Sequence, residues 1–350
     1  MDNDINTKGL YIYGIIPTCY AAEKFRELDS INVFNITFEK VSAIVSENSV
    51  IDYRQLGTEP LARLLIDHQK TIESLMNMGF TTIIPMRLGS FANNTTEVLK
   101  ILENGYDLIM EIFEKVTNLL EIDIVATWSD FNKIMAEIAV NPEILELKTK
   151  IGKSKNRVTQ TDQLTIGYLV KKILDEKNAE YATKIIEALN PFCQSTKSHE
   201  VQNDQMVINT AFLVNQGQSA LLEKALDQLD ERFNGKLNFK LVGPLPCYSF
   251  YTLEVKELCF EEIESAKKEL GLNNSTSGKN IKQAYLDKAK LFHPDTNPGD
   301  DSAVIFNRIN KAYQTMLDYV NAVKPASSEN QFSLLSDAVA ENSFFLKIKE

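Results

Sequence analysis

The sequence predicts an α+β protein in three parts: an N-terminal α+β domain, a second α+β domain with a long helical insertion, and a C-terminal all-α helical hairpin. Three observations carry this. Short aromatic and β-branched runs that read as strands recur as far as about residue 255 and then give way to helical material. Between them lie stretches whose apolar residues recur at helical spacing. The chain has 350 residues, enough for two or three domains with cores of their own.

In chain order, "GLYIYGIIP" (Gly9 to Pro17) is a strand stopped by proline, and "INVFNITFE" and "VSAIVSE" follow as strands. A helix fits Leu61 to Met78, where Leu61, Leu64, Leu65, Ile72, Leu75 and Met76 form one stripe. "TTIIPMRLG" is strand-like but interrupted by Pro85. The next helix opens with Asn94 and Glu97 in capping-box spacing and runs through Val98, Leu102, Ile109, Ile112 and Val116.

"EIDIVATWSD" reads as a strand carrying the only tryptophan, Trp128. Helical material extends from about Phe131 to Leu189, broken near Asn141-Pro142 and loosened around "KTKIGKSKNR". "QMVINTAFLV" is a strand, "SALLEKALDQLDERF" a helix, and "KLNFKLV" a strand with Leu237, Phe239 and Leu241 inward. "GPLP" is expected to turn the chain, and "CYSFYTLEV" to form a last strand. That order, β–α–β–α–β–β, is read as a ferredoxin-like sandwich with an elaborated first crossover. The boundaries expected are 1–120, 121–258, a helical domain at 259–322, and a linker with an apolar tail at 323–350. Phe332, Leu334, Leu335, Phe344, Phe345, Leu346 and Ile348 are too many apolar residues for a solvated tail, so it folds back or docks on a partner.

Hydrophobic residues make up 44% and charged residues 24%, values of an ordinary globular protein. A net charge of −11 argues against a dedicated nucleic-acid binder, whose phosphate contacts need clustered lysine and arginine. No run approaches the roughly 18 apolar residues of a membrane span, and the polar start lacks the pattern of a secretory signal. Cys19, Cys193, Cys247 and Cys259 are scattered, as in a reduced cytoplasmic protein. Three histidines and four cysteines at these separations form no metal motif, and no glycine-rich phosphate loop is present. No cofactor is expected.

The tripeptide His293-Pro294-Asp295 lies between "NIKQAYLDKAKLF" and "SAVIFNRINKAYQTMLDYV", two amphipathic helices joined by a turn. With Leu270-Gly271-Leu272, Ala284-Tyr285, Asn297-Pro298-Gly299-Asp300 and Ile309-Asn310-Lys311-Ala312-Tyr313, this stretch resembles a J domain, the co-chaperone module that stimulates Hsp70 ATPases. The resemblance implies that Lys282, Tyr285, Lys288, His293, Pro294 and Asp295 face an Hsp70 and that none is catalytic. Leu286, Asp287 and Leu291 stand where the family favours basic residues, which weakens electrostatic docking.

Residues 1–258 carry a second resemblance. Tyr13-Gly14, then Pro85-Met86-Arg87-Leu88-Gly89, then Gly243-Pro244-Leu245-Pro246-Cys247-Tyr248-Ser249-Phe250 are similar to the ordered motifs of the gas vesicle GvpL/GvpF family. That resemblance implies a two-domain, non-enzymatic gas vesicle assembly or minor structural protein. Its implied partners are the hydrophobic GvpA-type shell protein and other accessory proteins, and its implied location is the cytoplasm and the gas vesicle. The alternative reading is a general J-domain co-chaperone whose first 258 residues bind unrelated clients.

Among single residues, His68 lies on a helix stripe and reads as a packed histidine, and His199 as a loop residue. Arg87, at a strand end, is expected to be buried against a carboxylate or carbonyl. Tyr248 is expected to be exposed beside a rigid Gly243-Pro244 turn. The run from Lys148 to Arg157 reads as a solvated connection or, more sharply, a docking site for an acidic partner.

Overall fold

The computed structural model describes residues 8–20, 22–49, 56–154, 159–293, 300–324, 327–341 and 344–349. Two compact units divide the chain: residues 1–114 together with 252–350, and residues 115–251.

The first unit begins with β1 (Lys8–Pro17), α1 (Ala22–Arg26), β2 (Phe34–Phe38), β3 (Val41–Ser49), α2 (Thr58–Asn77), β4 (Ile84–Pro85), β5 (Phe91–Ala92) and α3 (Thr95–Val116). The sheet order is β2-β3-β1-β4, with β5 also on β1, and all its pairings are antiparallel. β1 is buried along nearly its whole length, as its uninterrupted apolar run requires of a central strand. Its ladder with β3 slips between Ile12 and Gly14, so Tyr13 is an extra, bulged residue. The expected strand around Ile84 shrinks to two residues because Pro85 has no N–H to continue the ladder. The α2 stripe is only half used: His68, Ile72 and Leu75 are buried, while Leu61 and Leu65 are exposed. Asn94 caps α3 by accepting the Glu97 N–H at 3.0 Å, but the Glu97 carboxylate returns to Asn93 rather than to Asn94.

The second unit contains β6 (Leu119–Trp128), α4 (Phe131–Ala139), α5 (Pro142–Ser154), α6 (Gln160–Leu189), β7 (Ser195–Ser198), β8 (Met206–Asn215), α7 (Ser219–Phe233), β9 (Leu237–Leu245) and α8 (Tyr248–Tyr251). Its sheet order is β7-β8-β6-β9, antiparallel throughout. The alternate residues Ile122, Ile124, Ala126 and Trp128 meet Leu174, Ile185 and Leu189 of α6 and Leu222, Leu226 and Leu229 of α7 in one core. Trp128 donates its indole N–H to Asn178 at 2.7 Å.

Two expectations are corrected here. The fourth strand of this sheet is β7, in the polar "STKS" that carries no apolar alternation because it lies at an edge. The chain order is therefore β–α–β–β–α–β. "GPLP" does not turn the chain at Gly243-Pro244 either: β9 runs through them with one extra residue, Leu245 facing Glu121 and Val242 facing Asp123. Gly243 is required there, at φ 153°, since a Cβ would lie 3.0 Å from the Glu121 carbonyl oxygen.

After α8 the chain returns to the first unit as β10 (Leu253–Glu257), α9 (Phe260–Leu270), β11 (Ser275–Ser277), α10 (Gly278–Phe292), α11 (Asp300–Val323), β12 (Gln331–Ser333), α12 (Ser336–Glu341) and β13 (Phe344–Ile348). Helices α9, α10 and α11 enclose Ile263, Leu270, Ile281, Ile309, Met316 and Tyr319. The tail completes that core with Phe332, Leu334, Val339 and Phe345. Its two strands pair β12 with β11 and β13 with β10, so the tail folds back in cis. In α3 a Cβ at Gly105 would collide with Leu346 of β13, and Asn104 donates to the Phe344 carbonyl at 2.8 Å.

Candidate functional site

The first two sequence motifs meet at β1. Gly14 pairs with Pro85, and the Met86 N–H donates to the Tyr13 carbonyl at 3.0 Å. The Arg87 N–H donates to the Leu253 carbonyl at 2.7 Å, and its side chain pairs with Glu254 of β10 at 2.6 Å. The burial is the reverse of that expected: the Arg87 side chain is 55% exposed and the Glu254 side chain 8%. Burial pushes the Glu254 carboxyl up, but Arg87, Lys347 and Lys256 outweigh it and hold it below its ordinary value. Replacing Arg87 by Met is expected to cost about 1–2 kcal/mol in chemical unfolding, because Glu254 keeps two lysines but loses its shortest hydrogen bond.

Beside this motif His68 is buried, its Nδ1 2.6 Å from the Tyr11 hydroxyl and its ring stacked on Tyr13. Burial lowers its pKa to about 4, so the imidazole is neutral. It is the packed histidine expected from the stripe. Tyr11, Tyr13, His68, Leu64 and Phe91 line a small cleft of about 290 Å³ with Asp67 and Asn48 also at its wall.

In the second unit the third motif wraps around Glu121, a residue that belongs to no sequence motif. Glu121 is 1% exposed and accepts both the Ser249 N–H and the Ser249 hydroxyl at 2.7 Å. The Ser249 hydroxyl also lies 3.0 Å from Nε2 of His199, so His199 is more than a loop residue. This buried carboxylate, together with the Cys247 carbonyl that accepts from Phe250 and Tyr251, converts "YSFY" into α8. The expected strand "CYSFYTLEV" therefore survives only as β10, in the other unit. Tyr248 is half-buried rather than exposed. Burial raises Glu121 to about 7 and the Cys247 thiol to about 12, the latter helped by Glu121; Asp123 is also raised by burial. A serine, a histidine and an acid are close together, but the acid holds the serine rather than orienting the far side of the imidazole. That geometry caps a helical turn and does not activate a nucleophile. The signal that could have found it was two acids, Glu121 and Asp123, inside an otherwise apolar strand.

In the helical module Tyr285 stacks on Tyr313 with centroids 4.1 Å apart and donates to Asn310 at 3.0 Å. Lys288 donates to the Glu269 carbonyl. These two expected contact residues are thus engaged within the module, while Lys282 is exposed. His293 ends α10 with its ring edge-on to Phe306 at 5.2 Å. Pro294 and Asp295 lie outside the described residues, as do Asn297, Pro298 and Gly299. Leu286 and Leu291 are exposed at 40% and 65%, in place of the favoured basic side chains. Among the described residues no group of histidine, cysteine and acidic side chains could hold a metal ion, and no helix is long and apolar enough to cross a membrane.

Comparison with known proteins decides the family. The model of gas vesicle synthesis protein GvpL/GvpF matches residues 9–252. The chain belongs to the GvpL/GvpF family. A DnaJ domain matches residues 268–323. Gas vesicle protein F of Microcystis aeruginosa is 25% identical over 252 residues, covering 71% of this chain and 99% of that protein. The corresponding protein of a Nostoc species is 23% identical over 247 residues, covering 70% and 98%. The crystal structure of GvpF from Anabaena superposes with a TM-score of 0.59 at 22% identity, again over 70% of this chain and 98% of that one. The DnaJ chaperone of Acetivibrio thermocellus is 46% identical over 50 residues, 14% of this chain and 13% of its own. This GvpL/GvpF member therefore carries a J-like module and tail that lie beyond the length of the gas vesicle relatives it matches.

Proposed function

We propose that this chain is a non-catalytic assembly factor of gas vesicles, in which residues 9–252 bind the hydrophobic GvpA-type shell protein and other accessory proteins and limit premature aggregation. The observation that carries the reading is the family match over 9–252 in one chain with a DnaJ-type module. A shell protein exposes apolar strand edges before it polymerises, and such edges pair indiscriminately. A protein that covers them works in the cytoplasm and at the growing vesicle and needs no cofactor. The motif residues Tyr13, Gly14, Pro85, Arg87, Gly89, Gly243, Pro244, Pro246, Tyr248 and Phe250 hold the two units' strands and turns in place.

The test is light scattering of purified shell protein diluted from denaturant, with and without the full chain. Suppression of aggregation at near-equimolar chain, with a co-eluting complex, supports the reading; unchanged aggregation with no complex moves the general co-chaperone ahead of it. The J-like module is proposed to recruit an Hsp70 through Lys282, Tyr285, Lys288, His293, Pro294 and Asp295. His293→Gln is expected to abolish stimulation of Hsp70 ATP hydrolysis. No stimulation by the unaltered chain would sink that part alone.

A further inference from the structure

The distal part of the α5–α6 hairpin is helical but has no core of its own. Between Leu145 and Ile173 no described residue is buried. Helices of this length are marginal in water, and in proteins they draw most of their stability from burying an apolar face. Here only part of the apolar surface is used: Leu169, Val170 and Ile173 pack against the sheet core, while Leu145, Leu164 and Tyr168 are 48%, 69% and 75% exposed. Leu164 and Tyr168 are one turn apart and so share a face of α6. Gly167 between them has nothing within 4 Å of where a Cβ would stand, so the surface beside that face is open.

The charge beside these residues is distinct from that of the chain. The run from Lys148 to Arg157 contains five basic residues and no acid, in a protein of net charge −11. Within it Lys148, Lys150 and Lys153 lie on α5 and are exposed. The acid at the start of α6, Asp162, is occupied by the capping box with Thr159. Lys150 pairs with Glu146 at 2.7 Å, but both are largely exposed, and such pairs exchange readily because they are worth little.

We propose that this hairpin is a docking surface for an amphipathic helix of a partner protein, one whose apolar stripe is flanked by carboxylates. The partner's stripe covers Leu145, Leu164 and Tyr168, and its acids meet Lys148, Lys150 and Lys153. An anionic membrane is the weaker match: a helix lying on lipid needs a wide, continuous apolar face, and here the apolar residues are divided between two helices. The proposal goes beyond the shell-protein reading and concerns a separate contact.

The experiment uses the full chain and two fluorescent synthetic peptides of about 18 residues, roughly five helical turns. Both carry the same leucine stripe, flanked by glutamates in one and by lysines in the other. The acidic peptide is expected to bind, more weakly as salt rises. Its affinity is expected to drop about tenfold or more in the double variant Leu164→Glu/Tyr168→Glu and in Lys148→Glu/Lys153→Glu. In the unaltered chain it should slow amide exchange of α5 and the first half of α6, a readout independent of how the variants fold. Equal binding of the lysine peptide, undiminished binding by both variants, or protection elsewhere overturns the proposal. Binding to phosphatidylglycerol vesicles without binding to the acidic peptide, or self-association that Tyr168→Glu abolishes, also overturns it. Because the shell protein takes no part, failure here leaves the shell-protein reading to its own test.

Discussion

Ending the chain at Lys324 is expected to melt the J-like module. The removed tail supplies Phe332, Leu334, Val339 and Phe345 to the core that α9, α10 and α11 share, each 9% exposed or less. At about 1.5–3 kcal/mol for each fully buried apolar side chain, the loss of these four is on the order of 6–12 kcal/mol, comparable with the whole stability of a domain. Tyr319, which is fully buried, also loses the Ser333 carbonyl to which its hydroxyl donates at 2.8 Å. Limited proteolysis should then cut within α9–α11 while residues 115–251 stay protected. A subtler variant separates docking from core filling. Gly105→Val leaves the tail intact but places side-chain atoms where Leu346 sits, and it is expected to release β13 from α3. Unchanged protease resistance in both variants would mean that the tail is not what holds the module together.

The two units are expected to respond to pH in opposite directions. His68 is held neutral by burial, with its pKa lowered from 6.5 to about 4. Unfolding lets it take up a proton within that window. Its contribution is therefore complete above about pH 6.5 and is lost as pH falls to about 4, an effect of about 3 kcal/mol at ~1.4 kcal/mol per pH unit. Glu121 runs the other way, raised by burial from 4.5 to about 7. The folded state keeps a proton that the unfolded chain has released, so its contribution is complete below about pH 4.5 and is lost as pH rises through 7. Its magnitude is similar, about 3 kcal/mol, and Asp123 adds to it in the same direction. Hydrogen exchange resolved by unit should show residues 115–251 loosening from about pH 5 to pH 8 and the first unit tightening. Glu121→Gln should flatten the profile of the second unit alone, and His68→Gln that of the first alone. Parallel profiles in both units, or no change on substitution, would contradict these assignments.

Most elements were legible because local chemistry decides them. β1 follows from an uninterrupted apolar run, α3 from a 3.6-residue stripe with Asn94 at its cap, and the three-helix module from Ile281, Ile309 and Met316 at helical spacing. The motifs at Tyr13-Gly14 and Pro85–Gly89 were visible as separate words, and so was the likeness to GvpL/GvpF and J-domain families. What the sequence could not show was where polar groups find partners far along the chain. "YSFY" has the composition of a strand and becomes a helical turn because a carboxylate 128 residues earlier accepts its N–H. "STKS" has no strand pattern and becomes an edge strand because β8 leaves one ladder open to it. The sequence points to Arg87 as the buried partner, yet burial falls on Glu254, since the longer side chain can reach water while its short partner cannot.

By itself the sequence determined the elements, the family and the presence of a J-like module. The tertiary structure alone decided that β10 leaves the second unit, that the tail closes the module's core, and that no described residue from Leu145 to Ile173 of the α5–α6 hairpin is buried. Periodicity records which face of an element is apolar, but the identity of what covers that face depends on contacts between residues remote in the chain.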